Sequence, residues 1–450
     1  MNPGSKVFYR DPHKQYPTAK RGKGVFIYDE NEKDYLDGSS GALVVNVGHG
    51  NEEIIEAVHK QMRAISFAHT SQFQTDVLVE YANRLAPLLP GELEYTYFVA
   101  GGSEAVDTAI KMARQYQVER GKTSKHKVIG RWTSFHGHTI GALSVGGYAD
   151  WRKFHSPNLL AFPHIQPPLC YRCPFGHTPD SCQHQCAAQL EDAILREGPE
   201  NVAAFIFEPV IGSSASATVA PPVYFQKVSE ICKKYDVLLI VDEVMCGFGR
   251  TGTLFASEHW NLQPDLMVTG KGISSGYAPL GAVMVHPKVF ETLKEGSARR
   301  FVHGFTSSGN PVSVSAGLAV LNFLQQNAVL EKVKHTSAYL EKRLKQLQDH
   351  HPIIGDVRGI GMMWGVELVR NRASREPFPP ELQVTAQTVS AAFANGLIVY
   401  PSQKFHLGRY GDSIMIAPPL IITMDEIDLL IERLEKTLHE IGMKLEAYLY

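Results

Sequence analysis

The chain has 450 residues, 44% of them hydrophobic, enough for a sizeable core in two or three domains or in one large α/β domain with an appendage. Lys and Arg number 44 against 46 Asp and Glu, a formal net charge of −2 with no basic or acidic block, which argues against nucleic acid or an anionic membrane as partner. No apolar run approaches the length of a membrane span and the first residues lack the apolar core of a signal peptide, so a cytoplasmic protein is expected.

In chain order, residues 24–28 and 35–37 flank a charged turn and predict a hairpin. Residues 37–50 are rich in glycine and small polar side chains, which suits a loop beside a ligand or a plain turn. Ile54, Ile55, Val58 and Met62 mark an amphipathic helix. Val77, Leu78, Tyr81, Leu85 and Leu88 mark another, closed by Pro90. A strand over 95–100 leads into Gly101-Gly102-Ser103, and Val106, Ala109, Ile110 and Ala113 then carry a helical stripe. A glycine turn running into a helix N-terminus offers backbone donors and the positive end of a dipole, which suits a phosphate. A structural N-cap is the plainer alternative.

Val128-Ile-Gly130 predicts a strand before the loop Ser134-Phe135-His136-Gly137-His138. Four cysteines follow in one stretch, Cys170-x-x-Cys173 and Cys182-x-x-x-Cys186, with His177 and His184 between them. In a cytosolic protein such a group binds metal more often than it forms disulfides, and its spacing fits a tetrahedral thiolate zinc; reduced thiols in a compact loop are the alternative. Residues 202–207 read as a strand ending in Glu208.

Val237-Leu-Leu-Ile-Val241 is too short for an ordinary helix and reads as a buried strand ending on Asp242-Glu243. A second strand, 265–269, stops at Gly270-Lys271-Gly272. An acid and a lysine at the carboxyl ends of neighbouring strands occupy the edge where open α/β sheets bind ligands. There the lysine is placed to form an imine and the acid to hold a proton on a heterocyclic nitrogen, the pairing used by pyridoxal phosphate chemistry. Two competing motifs fail on context. Gly247-x-Gly249-x-x-Gly252 runs into Thr253-Leu-Phe-Ala instead of opening a helix, and no acid follows at the offset a dinucleotide site needs. Gly272 stands where a P-loop needs Ser or Thr.

With a further strand over 280–285, the alternation predicts a mostly parallel sheet covered by helices on both faces. After about residue 330 the pattern changes to a long charged helix over 330–347, strands near 361–368 and 413–417, and a last helix from about Met424.

Asp242-Glu-Val-Met-Cys-Gly-Phe-Gly-Arg-Thr-Gly252, followed by Thr269-Gly-Lys271-Gly-Ile-Ser-Ser-Gly-Tyr-Ala-Pro-Leu-Gly281, closely resembles the signature of class III (omega) aminotransferases. These are fold-type I pyridoxal-phosphate enzymes, and the resemblance extends over nearly the whole chain. It implies a large cofactor-binding domain over 71–330, with a mostly parallel sheet sandwiched by helices. A smaller α+β domain is implied for 331–450, joined by the N-terminal segment 1–70.

The same resemblance implies site residues. Lys271 carries pyridoxal 5′-phosphate, Asp242 supports its ring nitrogen, and Gly102 and Ser103 hold its phosphate. Phe135 stacks on the ring where many relatives have tyrosine, and Val244 lies against the other face. His136 is expected to position by hydrogen bonding, because the freed lysine is the proton carrier. Glu208 packs near the cofactor and pairs with a mobile arginine. Arg409, ahead of Gly411-Asp412, is the candidate for that arginine and for a bidentate hold on a substrate carboxylate, at a spacing unlike that of the amine transaminases compared. Leu43 takes a substrate-pocket position where some amine transaminases have tryptophan. Thr306, in His303-Gly-Phe305-Thr306, resembles the threonine that binds the phosphate of the neighbouring subunit's cofactor, implying a homodimer or a dimer of dimers. The family needs no metal, which favours free thiols at Cys170, Cys173, Cys182 and Cys186.

The implied reaction is ping-pong transfer of an amino group from an ω-amine or ω-amino acid to pyruvate or another small oxo acid. A lyase of the phospho-lyase kind, an epimerase or a decarboxylase on the same scaffold would share these motifs. A non-enzymatic cofactor-binding or metal-loop protein would have no need to keep the acid–lysine pair.

Overall fold

The computed structural model describes residues 6–178, 181–403 and 411–449. Its centre is a sheet of seven strands in the order Tyr95–Val99, Gly281–Val285, Leu266–Thr269, Leu238–Asp242, Val202–Phe207, Lys127–Arg131 and His164–Ile165. Gly281–Val285 runs antiparallel to both its neighbours, and the remaining neighbours pair in parallel. All the strands but Gly281–Val285 therefore point the same way.

The middle strands are apolar without interruption because both of their faces are covered. Val202–Phe207 is buried along its whole length, and so is Leu238–Asp242. Successive side chains nonetheless serve opposite faces. Ala204, Ile206 and Ile240 pack with Val106, Ala109, Met112 and Ala113 of helix Gly102–Glu119. Phe205, Phe207, Leu239 and Val241 pack instead with Leu190 and Ile194 of helix Gln185–Glu197 and with Tyr224, Phe225 and Val228 of helix Pro222–Lys234. Each such large side chain contributes roughly 1.5–3 kcal/mol on burial, so the sheet edge that carries the site sits on a fully buried core.

The two ends of the chain meet in smaller sheets. Ala19–Lys23, Phe26–Asp29 and Asp34–Asp37 form an antiparallel ribbon, to which Leu397–Ile398 adds in parallel beside Asp34–Asp37. The predicted hairpin is thus extended by a strand at its start. Ile354–Ile360, Met363–Leu368, Asp412–Ile416 and Tyr400–Gln403 make a second, antiparallel sheet. Helices Val329–His350 and Met424–Leu445 bury Leu340, Leu344, Ile427, Leu430 and Leu434 in the core shared with it. Thr423 and Glu426 form a capping box that starts the last helix.

Residues 37–50, which read as a loop beside a ligand or a plain turn, hold more local structure than either. They include a short helical turn, Ser40–Leu43, in which Gly41 and Ala42 leave helical geometry. Buried Arg250 clamps this segment. It donates through Nη2 to Ser40 Oγ at 3.0 Å and Asn46 Oδ1 at 2.7 Å, and through Nη1 to the carbonyl of Pro418 at 2.5 Å. Among the described residues, no helix is long and apolar enough to cross a membrane.

Candidate active site

The co-directed strands deliver their carboxyl-terminal residues to one edge. Gly102 and Ser103 follow Tyr95–Val99, Phe135 and His136 follow Lys127–Arg131, and Glu208 follows Val202–Phe207. Asp242 ends its own strand, and Lys271 comes two residues after Leu266–Thr269. The register that sets Asp242 opposite Val268 brings acid and lysine together. These residues, with Gly137, Val244 and Met245, line a cavity of about 150 Å³.

Asp242 is 3% exposed and held from two sides. Its Oδ1 accepts the Val244 N–H at 2.9 Å, and its Oδ2 lies 2.6 Å from Nδ1 of buried His136. These contacts fix the carboxylate's direction, so that it enters the cavity at a set angle. The other imidazole nitrogen, His136 Nε2, is buried without a hydrogen-bond partner among the described residues, as is Glu208 Oε2.

Helix Gly102–Glu119 begins at the cavity wall with no side chain capping it, which leaves its first N–H groups available to an anion. Glycine is needed at its first residue, because a Cβ on Gly102 would stand 2.9 Å from Val244 Cγ1. Gly137 has φ +130°, and a Cβ there would meet Ser103 Oγ at 2.4 Å; the Phe135–His138 loop can therefore close onto the helix start. Ser103 Oγ accepts the His138 N–H at 3.1 Å.

Lys271 has φ +47°, a left-handed conformation that costs a non-glycine residue on the order of 1 kcal/mol. Burial pushes its ammonium down from 10.5 to about 8; Asp242 and Glu208 oppose that shift and Arg250 adds to it. Burial likewise pushes the Glu208 carboxyl up from 4.5 to about 7, against the pull of His136 and Arg131 toward the anion. An amine and an acid both drawn toward neutrality in one cleft are what proton-transfer chemistry near pH 7 requires.

Leu43 does not line this cavity; it is 1% exposed in an apolar cluster with Val210, Ala217, Cys246, Met363 and Met415. The Arg250 clamp and a positive φ of 58° at Leu43 turn it inward. Thr306 is exposed on a turn outside the cavity. Arg409 lies outside the described residues. Cys170, Cys173, Cys182 and Cys186 are free thiols, and among the described residues no three His, Cys, Asp or Glu side chains are grouped to hold a metal. The cavity residues not anticipated are Met245 and Gly137. Behind the wall, Arg131 was also missed; its one legible signal was its place at the end of a strand that reaches the same edge.

Pyridoxal phosphate fits these residues. An uncapped helix start suits its phosphate, an apolar and an aromatic side chain (Val244 and Phe135) suit a flat ring, and a buried acid suits a ring nitrogen. Lys271 supplies an amine drawn toward its neutral, nucleophilic form.

Comparison with known proteins points the same way. The family model "Aminotransferase class-III" matches residues 8–438. A putrescine–pyruvate aminotransferase of Pseudomonas aeruginosa is 40% identical over 423 residues, spanning 93% of this chain and 90% of that protein. The crystal structure of a thermostable (S)-enantioselective omega-transaminase from Thermomicrobium roseum is similar with a TM-score of 0.89 and 38% identity, over 96% of each chain. The omega transaminase of Pseudomonas jessenii in complex with PMP superposes with a TM-score of 0.91 at 31% identity, covering 98% of this chain and 97% of that one.

Proposed function

This chain belongs to the class-III aminotransferases, pyridoxal-phosphate-dependent transaminases, and on that premise we propose that it moves an amino group from an ω-amine or ω-amino acid to pyruvate or another small oxo acid. The observation that carries the proposal is the placement of Lys271 and Asp242 in one cavity, with the lysine pushed toward its neutral form. The likeness to a putrescine–pyruvate enzyme supports a donor with an amine remote from any carboxylate and a small oxo acid as acceptor.

Bound pyridoxal phosphate supplies a carbonyl that takes up the amino group and a ring that accepts the electron pair left when a substrate C–H bond breaks. Gly102 and Ser103 anchor its phosphate through backbone N–H groups at the positive helix end. Asp242, held by Val244 and His136, keeps a proton on the ring nitrogen, since a neighbouring opposite charge favours the charged form. Lys271 Nζ would hold the cofactor's carbonyl carbon and, as a free neutral amine, would serve as the base that takes up and returns the substrate's proton. Phe135 and Val244 hold the ring flat between them. Arg409 is the proposed partner of the oxo-acid carboxylate and, in its absence, of Glu208, which would let one pocket accept substrates with and without that charge. Thr306 reaches the phosphate of a second subunit's cofactor, which makes the homodimer the working unit.

Cofactor absorbance tests the proposal. A donor amine alone should convert the enzyme to its amine form, and pyruvate or another small oxo acid should return it to the aldehyde form. Arg409→Ala should weaken the oxo-acid half far more than the simple-amine half. Catalytic release of ammonia or phosphate from the donor, with no acceptor present, would establish a lyase instead.

A further inference from the structure

Arg131 ends the strand Lys127–Arg131 directly behind the cavity and is only 1% exposed. Nothing in the transfer chemistry above uses it. Its Nη2 donates to the backbone carbonyl of Glu208 at 2.7 Å and stands 3.9 Å from Glu208 Oε2. Its Nε has no hydrogen-bond partner among the described residues. The guanidinium also lies over the Phe207 ring, 5.4 Å from its centroid, which steadies the cation without neutralising it.

Glu208 is gripped loosely in return. Its side chain is 5% exposed, Oε1 accepts the Gly212 N–H at 3.4 Å, and Oε2 has no hydrogen-bond partner among the described residues. The charged and titratable groups facing it are Arg131 on one strand, His136 on the following loop, Asp242 on another strand and Lys271 beyond it. Burial, chiefly, and Asp242 favour the neutral acid, while His136, then Arg131 and the Gly212 N–H, favour the anion. A fork-like ion pair with two short bonds would saturate this carboxylate. At 3.9 Å Arg131 acts through its field and leaves Oε2 free to receive another cation.

We propose that Arg131 is a positioning residue for Glu208: it fixes the acid's backbone at the cavity wall and biases its carboxylate toward the anion, so that Oε2 is kept as a negative acceptor. This rests on the role proposed above for Glu208. It adds that the residue setting the acid's charge comes from the neighbouring strand.

Infrared difference titration of the holoenzyme tests it, reading the protonated carboxyl signal that Glu208→Gln should abolish. In Arg131→Met the midpoint of that signal should rise by about one pH unit or more. The acidic limb of the amine half-reaction should move with it. Arg131→Gln keeps an N–H for the Glu208 carbonyl but drops the charge; it should show the same rise and decides the matter if the methionine variant fails to fold. An unmoved midpoint in a folded, charge-free variant overturns the proposal. If instead the midpoint moves as expected but Glu208→Gln leaves the amine half-reaction and its pH limb unchanged, Arg131 still governs Glu208 and it is the acid's role in transfer that fails.

Discussion

Replacing Asp242 by asparagine removes one negative charge and little else. The shape is conserved, Oδ1 can still accept the Val244 N–H now at 2.9 Å, and the new amide faces His136 Nδ1 across a contact of 2.6 Å, which the other imidazole tautomer can accept. The helix start at Gly102 and the Lys271 amine are untouched, so cofactor should still bind. What disappears is the opposite charge that holds a proton on the ring nitrogen, and with it the ring's capacity to take up an electron pair. Removing a preorganised charge partner from a buried site costs on the order of 10²-fold or more, about 2.7 kcal/mol or more in the barrier. Single-turnover stopped-flow absorbance, run separately with donor amine and with oxo acid, reads this directly. Both half-reactions should slow together, at cofactor occupancy close to wild type. A near wild-type rate in a fully loaded variant would refute the reasoning and reduce Asp242 to a structural acid.

The cavity lowers Lys271 from 10.5 to about 8. Lys271 works as a base only when neutral, so the proton-transfer rate should climb with pH through about 8 and level off above it. At pH 7.5 roughly a quarter of such lysines are neutral against about 0.1% of ordinary ones, a gain of about two orders of magnitude; a rate still climbing at pH 10 would mean the amine is unshifted. Elemental analysis of protein purified without added metal should find no zinc bound to the Cys170–Cys186 loop. About one zinc per chain, lost on replacing Cys170 and Cys173, would establish a thiolate site there.

Much of the fold was legible because its strong signals were local. The central strands are apolar runs ended by acids, glycines or a lysine, and these endings place Asp242 and Lys271 at the ligand edge before any coordinates are needed. Strand Ile354–Ile360 escapes a sequence reading because its glycines, Gly355 and Gly359, and its charges, Asp356 and Arg358, break the apolar pattern. The helical turn at Ser40–Leu43 is not legible in a stretch that reads as a loop beside a ligand or a plain turn, because what folds it is distant in sequence: Arg250 reaches across more than 200 residues to Ser40 and Asn46. The same reason hid Arg131, whose meaning depends on Glu208, 77 residues on. Leu43, expected at a substrate pocket, lies in an apolar cluster whose members are scattered along the chain. Pairings carried by side chains from separate strands leave no spacing to read.

The claim on which everything else depends is that Lys271 is the lysine that binds the cofactor, and borohydride trapping tests it most directly. Reduction of the loaded enzyme should fix the cofactor to a single amine, and peptide mapping should place the label on Lys271, in the peptide that also carries Gly270 and Gly272. The chain offers other lysines, among them Lys125, which is buried but donates to the carbonyls of Val202, Tyr235 and Asp236. A label on Lys125 or on any lysine other than Lys271 would contradict the account.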